Sequence, residues 1–181
     1  MKISKTAIEG VVIIEPQVFE DERGYFFESW NQAKMKEAGL DYNFIQDNQS
    51  KSCYGVIRGI HFQKGEFSQA KLVRVLQGSV LDVAVDLRRN SPTFGKYVAV
   101  ELSSENKKQL MIPRGFGHGF SVLSETAVFA YKCDNVYNKA SEVGIRFDDP
   151  DIGIDWKIDP KKAILSEKDK TAPFLKEVEC F

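Results

Sequence analysis

His61 and His118, the only histidines of the chain, are the side chains best suited to moving protons near neutral pH. His61 stands in Val-Ile-Arg-Gly-Ile-His-Phe-Gln (56–63), and His118 in Phe-Gly-His-Gly-Phe (116–120). Tyr131-Lys132 ends another strand-like run, and Asp169 closes Ser-Glu-Lys-Asp (166–169). Imidazole, phenol and carboxylate are common acids and bases of proton transfer. Each also has a plain structural reading. His61 could be a strand histidine bonded to a carbonyl, and His118 a space-filler at a barrel corner. Tyr131 could be a packed tyrosine with a satisfied hydroxyl, and Asp169 the third residue of a helix capping box.

The run 56–63 sets a puzzle. Strand alternation sends Ile57, Gly59 and His61 to one face and Val56, Arg58, Ile60 and Phe62 to the other. That pattern separates Arg58 from His61 and buries an arginine among apolar side chains, which is costly without a partner. A bulge or bend at Gly59 would re-aim one side chain and bring both to one site, so irregular backbone is expected there. In 116–120, Phe116, His118 and Phe120 share a face and the glycines lie on the other, which leaves room for a backbone or a ligand to approach closely.

A metal centre needs three or four converging N, O or S ligands. Two histidines far apart, with no His-x-His pair and no carboxylates at ligand spacing, argue against one. Cys53, Cys133 and Cys180 are sparse and odd in number, which reads as reduced thiols in a cytosolic protein.

Strands must position these groups. Strand signals cover Gly24–Trp30, Val56–Phe62, Ala70–Gln77, Ser79–Leu87, Lys96–Leu102, Gln109–Ile112, Phe116–Leu123 and Thr126–Cys133, with turns at Gly78, Asn90-Ser91-Pro92 and Pro113-Arg114-Gly115. Many short strands with regular turns mean a sandwich or barrel. In Ser79–Leu87 the residues Leu81, Val83, Val85 and Leu87 face one way, with Asp82 and Asp86 opposite. In Ala70–Gln77, Lys71, Val73 and Val75 oppose Leu72, Arg74 and Leu76. Polar groups on a sheet this apolar imply that one face lines a pocket. Helix is scarce: Asn31 caps a short one that stops at Gly39, and Ser166 opens a final turn.

The 181 residues suit one domain with its own core. Apolar residues make up 43% and charged ones 28%, which excludes disorder as the native state. Basic and acidic residues number 25 and 26, so no bulk field advertises nucleic acid or an anionic membrane. No apolar run is long enough to span a bilayer, and the N-terminus has no signal-peptide h-region.

Taken together, several ordered blocks are far more specific than any single residue. They are Asp-Glu-Arg-Gly-Tyr-Phe-Phe-Glu (21–28), Gln-Asp-Asn-Gln-Ser (46–50), Val-Ile-Arg-Gly-Ile-His-Phe-Gln (56–63), Lys-Leu-Val-Arg-Val-Leu-Gln-Gly (71–78) and Asp-Val-Ala-Val-Asp-Leu-Arg (82–88). Ser-Pro-Thr-Phe-Gly (91–95), Ile-Pro-Arg-Gly-Phe-Gly-His-Gly-Phe (112–120), Tyr-Lys (131–132) and Leu-Ser-Glu-Lys-Asp (165–169) follow. Over nearly its whole length the chain resembles the dTDP-4-dehydrorhamnose 3,5-epimerase family.

The resemblance implies an all-β, cupin-type jelly roll with a few short peripheral helices, no metal and no cofactor. It implies a cytoplasmic homodimer in which an N-terminal segment crosses to the neighbouring subunit, and a dTDP-linked 4-keto-6-deoxyhexose as substrate. His61 would take the C3 and C5 protons, Asp169 would hold its imidazole, and Tyr131 would return a proton on the opposite face. Lys71 would sit against the developing enolate oxygen. From neighbouring strands, Asp82 is a candidate partner for Lys71. Arg23, Arg58 and Lys168 would contact the diphosphate or sugar nucleotide. Glu28, Gln46, Asp47 and Asn48 would serve the nucleotide end, with Phe19 and Phe26 near the base, and His118 and Glu142 complete the set. The chain departs from the family pattern after His61, where Gln-Lys-Gly-Glu-Phe-Ser-Gln-Ala lacks the prolines of many relatives, and at Asn135-Val136-Tyr137-Asn138, where a tyrosine pair is usual. The second region bears on whether one or both carbons invert, so a C3-only epimerase stays open as an alternative. So does a non-catalytic sugar-nucleotide-binding cupin.

Overall fold

A computed structural model describes the whole chain, Met1–Phe181. Thirteen strands form two facing sheets and one free hairpin. The larger sheet has the order β1 (Lys2–Lys5), β2 (Val12–Glu15), β10 (Gln109–Ile112), β7 (Lys71–Gln77), β12 (Thr126–Cys133) and β5 (Gln46–Cys53). The smaller has the order β13 (Glu142–Gly144), β6 (Ile57–Gln63), β11 (Phe116–Val122), β8 (Ser79–Asp86) and β9 (Tyr97–Ser103). Strands β3 (Val18–Asp21) and β4 (Gly24–Phe27) pair only with each other. Every pairing between named strands is antiparallel. No helix is long and apolar enough to cross a membrane.

Period-two alternation turns directly into layers. Val73 and Val75 of β7 and Ala127 and Phe129 of β12 meet Val80, Ala84, Phe116, Phe120 and Val122 of the smaller sheet in the main core. The other face of the smaller sheet is also apolar, with Leu81, Val83, Val85 and Leu87 on it. It is covered by the C-terminal segment through Ile145, Ile152, Trp156, Leu175 and Val178. A sheet buried on both faces explains why β8 is buried from Val80 to Asp86. The third cluster packs Met35 of α1 (Gln32–Glu37) against Ile14, Leu72 and Met111. Asn31 caps that helix by accepting from Lys34 N, as its sequence indicates, and Gly39 ends it at φ +82°.

The expected irregularity at Gly59 is present. His61 pairs with His118 but Arg58 pairs with Phe120, so three steps along β6 oppose two along β11. Gly59 has φ +119° and is joined to Ile60 by a cis peptide bond. A Cβ on it would stand 2.5 Å from Gly119 Cα and 2.7 Å from His118 O. The two backbones touch, and only glycine fits on either side.

Two differences from the sequence reading concern β4 and β5. The strand expected to run to Trp30 ends at Phe27, because Asn31 is taken up as a helix cap and Trp30 packs on Phe44. Strand β5, Gln-Asp-Asn-Gln-Ser-Lys-Ser-Cys, pairs along its full length with β12 although it has no apolar alternation. Its inward positions face a polar cavity, so polar residues alternate with polar residues.

Gly59→Ala is expected to cost about 3 kcal/mol through the forbidden φ and the clash with β11. Urea unfolding should show a lowered midpoint with an unchanged slope; an unaltered midpoint would contradict the close approach.

Candidate active site

A cavity of about 550 Å³ opens between the sheets. The smaller sheet supplies Arg58, His61 and His118 to its wall, and the larger sheet supplies Asn48, Ser50, Lys71 and Tyr131. The C-terminal segment contributes Ile164, Ser166 and Asp169. Phe120 and Phe129 form an apolar floor where the main core begins.

Asp169 reaches His61 across 108 residues because the C-terminal segment is tied back to β6. Ile57 N donates to Ile164 O at 3.0 Å, and Ile164 N donates to Gly55 O at 2.9 Å. The chain then turns into α2 (Glu167–Lys170), whose N-cap Ser166 accepts from Asp169 N at 3.1 Å. The hydroxyl of Ser166 donates to Asp169 Oδ2 at 2.8 Å, and Asp169 Oδ1 lies 2.5 Å from His61 Nε2. Asp169 thus belongs to the cap of α2 and bonds His61 at the same time. Burial pushes its carboxyl up, but the bonds from His61 and Ser166 and the charge of Lys168 outweigh that and hold it below the usual range. An ionised carboxylate only accepts, so His61 Nε2 carries the hydrogen of this bond and Nδ1 is the ring nitrogen it leaves free.

Tyr131 stands on the opposite sheet from His61, inward with Phe129. Burial raises its pKa, helped by Cys133 and Glu142 and opposed by Arg58, so the phenol is protonated at neutral pH. The ammonium of Lys71 lies 5.9 Å from the centre of the Tyr131 ring and forms no ion pair. Burial lowers its pKa against the pull of Cys133, Asp82 and Glu142. Asp82 is not bonded to Lys71 as neighbouring strands suggested. Its Oδ1 is 2.9 Å from His118 Nε2, because β8 and β11 are direct neighbours and Asp82 and Phe120 are in register.

Arg58 is exposed to the cavity, not buried among apolar side chains, and its Nε donates to Ser52 Oγ at 3.1 Å. Ser52 lies in the polar strand that alternation could not reveal. Gln46 bonds Asn48 and accepts from Tyr137 N at 3.0 Å, so both stand along the inner side of β5. Glu142 accepts from Tyr137 Oη at 2.9 Å and pairs with Lys168 at 2.5 Å, which places these residues at the rim beside α2. Asp47 points to the other face of the sheet and pairs with Lys132 at 2.9 Å.

Arg23 and Glu28 do not reach this cavity in the same chain. Arg23 pairs with Asp21 on the free hairpin, and Glu28 pairs with Lys34 of α1. Phe19, Tyr25 and Phe26 of that hairpin are 56%, 58% and 70% exposed. No group of three or more His, Cys, Asp or Glu side chains is arranged to hold a metal ion.

An imidazole and a phenol on opposing walls of a β-sandwich cavity can remove a proton from one side of a carbon and return it on the other. A cupin-type fold with this arrangement defines an isomerase. The model of the family described as dTDP-4-dehydrorhamnose 3,5-epimerase matches residues 5–177. A curated relative of that name from Salmonella typhimurium is 54% identical over 97% of this chain and 96% of its own. The crystal structure of the epimerase from Elizabethkingia anophelis superposes with a TM-score of 0.94 at 61% identity, covering 98% of this chain and 97% of that one. The Legionella pneumophila enzyme, solved with dTDP-4-keto-L-rhamnose, also gives 0.94 at 48% identity, with 98% and 94% covered. The chain belongs to the dTDP-4-dehydrorhamnose 3,5-epimerase family.

The bond to His61 makes Asp169 a stability determinant with a defined pH range. Its carboxyl binds a proton less readily folded than unfolded, so the added stability is present above the ordinary value of 3.8 and is lost as pH falls through the lower folded value. Wild type should therefore exceed Asp169→Asn in stability at about pH 7, with the gap closing below about pH 4. Denaturant midpoints across that range test this; a gap constant with pH would contradict it.

Proposed function

We propose that the protein inverts C3 and C5 of dTDP-4-dehydro-6-deoxy-D-glucose to give dTDP-4-dehydro-L-rhamnose. The observation that carries this reading is the pairing of His61 with Asp169 on one wall and Tyr131 on the other. The family membership and the sugar-nucleotide complex of the Legionella relative support the substrate class.

A hydrogen beside a ketone is acidic only if the enolate is stabilised as it forms. In the proposed cycle His61 Nδ1 takes the C3 proton and the imidazolium is stabilised by Asp169. Electron density moves to the C4 oxygen, where the Lys71 ammonium compensates it. Burial disfavours that ammonium in the free enzyme, and a neighbouring oxyanion removes the penalty, so the attraction is strongest where charge develops. Tyr131 then delivers a proton to the opposite face of C3, and the same exchange follows at C5. Arg58, kept in place by Ser52, holds the diphosphate through charge-assisted bonds. Gln46, Asn48, His118, Glu142 and Lys168 line or rim the path between sugar and nucleotide.

We further propose that the chain is a single domain that works as a homodimer in the cytoplasm. A two-stranded hairpin with exposed aromatics is marginal by itself. In the dimer it would carry Arg23, Glu28, Phe19 and Phe26 to the neighbour's cavity and cover the nucleotide.

In deuterated water, NMR of the turned-over substrate should show label at both C3 and C5; label at C3 alone would indicate a single-centre epimerase, and none would reject the epimerase reading. His61→Ala should abolish wash-in and keep nucleotide binding. Tyr131→Phe should slow completed inversion by about 100-fold or more while wash-in persists; full turnover would remove Tyr131 as the acid. For the shared site, His61→Ala and Arg23→Ala subunits, each weak alone, should regain about a quarter of wild-type activity when mixed and allowed to exchange. Absence of any recovery would place Arg23 outside the partner's site.

A further inference from the structure

Two hydrogen bonds join Ser166 to Asp169 within the single turn of α2, and they run in opposite directions. Asp169 N donates to Ser166 Oγ at 3.1 Å, and Ser166 Oγ donates to Asp169 Oδ2 at 2.8 Å. The first is an ordinary helix cap. The second is not needed for one. In a capping box the third residue sends its side chain back to the backbone N–H of the cap. Asp169 makes no such bond: Oδ2 takes the hydroxyl hydrogen, and Oδ1 lies 2.5 Å from His61 Nε2.

Ser166 and His61 are the two side chains that hold this carboxylate. The neighbouring cation, Lys168, is spent on Glu142 of β13. The side chain of Asp169 is only 5% exposed, so water does not freely replace a missing donor. Rotation about the last torsion of an aspartate is loosely restrained. Held by one bond alone, the carboxylate can turn away from the imidazole. A helix of four residues adds little rigidity of its own.

We propose that Ser166 is a positioning residue for the epimerisation: its hydroxyl pins Asp169 Oδ2, so that Oδ1 stays on His61 Nε2 and the ring keeps Nδ1 toward the reacting carbons. The proposal rests on the epimerase reading above. Charge acts in the same sense. Burial opposes the ionised carboxyl, while His61 on β6, Ser166 at the cap and Lys168 on α2 favour it. An ionised Oδ1 only accepts, which keeps the hydrogen of the bond on Nε2.

Three substitutions separate positioning from capping. Ser166→Thr keeps both bonds, and its added methyl has room because Ser166 is exposed. Ser166→Gly keeps an acceptable cap residue without the hydroxyl, and Ser166→Ala loses both. Ser166→Gly and Ser166→Ala should lower kcat about 10- to 100-fold, with KM within about 2-fold of wild type. Ser166→Thr should restore kcat to within about 3-fold. Nitrogen-15 NMR of histidine-labelled protein needs no substrate. At a pH where the ring is neutral, His61 in wild type and Ser166→Thr should show a pyrrole-like Nε2 and a pyridine-like Nδ1. Ser166→Gly should show the averaged shifts of mixed tautomers. A capping role alone would lower the stability of Ser166→Ala and leave Ser166→Gly unaltered. Either full kcat or an unmixed tautomer in Ser166→Gly overturns the proposal. Should Ser166→Ala fail to fold, the glycine and threonine variants decide. If wild type washes no deuterium into the keto sugar, the epimerase reading fails instead, and the nitrogen-15 comparison alone decides whether Ser166 sets the tautomer of His61.

Discussion

The contact between the backbones of β6 and β11 is the constraint on which the site depends. Two strands can approach this closely only where neither carries a Cβ, and Gly59 and Gly119 meet that condition from both sides. The approach forces an extra residue into β6, and the extra residue changes which way its side chains point. An unbroken ladder would place Arg58 and His61 on opposite faces of the sheet. With the bulge, the Arg58 guanidinium and the His61 imidazole open into one cavity.

Around that contact the site is divided among three parts of the chain that are far apart in sequence. The smaller sheet contributes the imidazoles, the larger contributes the phenol and the ammonium, and the C-terminal segment contributes Asp169. Placing His61 and Tyr131 on different sheets fixes their separation by sheet packing, not by a flexible loop. The same apolar side chains that hold the sandwich together thus set the width of the reaction space. The buried carboxylates there are bonded, Asp169 to His61 and Asp82 to His118, while the Lys71 ammonium has no ion-pair partner.

Much of this was legible in the sequence because it follows from local patterns. Alternation in 70–77 and 79–87 located β7 and β8 and indicated a polar face. Asn31 and Ser166 marked both helix starts, and the Arg-Gly-x-His misfit pointed to the bulge. What stayed hidden depended on partners distant in the chain. Strand β5 has no apolar signal, since its inner residues face polar space, and Ser52, the partner of Arg58, shares that silence. Register, which sequence does not state, puts Asp82 beside His118 and not in a bond to Lys71. Arg23 and Glu28 were grouped with the site by family likeness, yet within one chain they lie on a hairpin and beside α1, away from it.

The course of the C-terminal segment ties enzyme chemistry to chain completion. This segment is both the lid on the outer face of the smaller sheet and the carrier of Asp169, the carboxylate beside His61. Without that segment the two sheets would enclose a cavity and an imidazole, but no carboxylate bonded to it. They would also expose a wide apolar surface. Covering of the apolar outer face and completion of the His61–Asp169 pair therefore depend on the same stretch of chain.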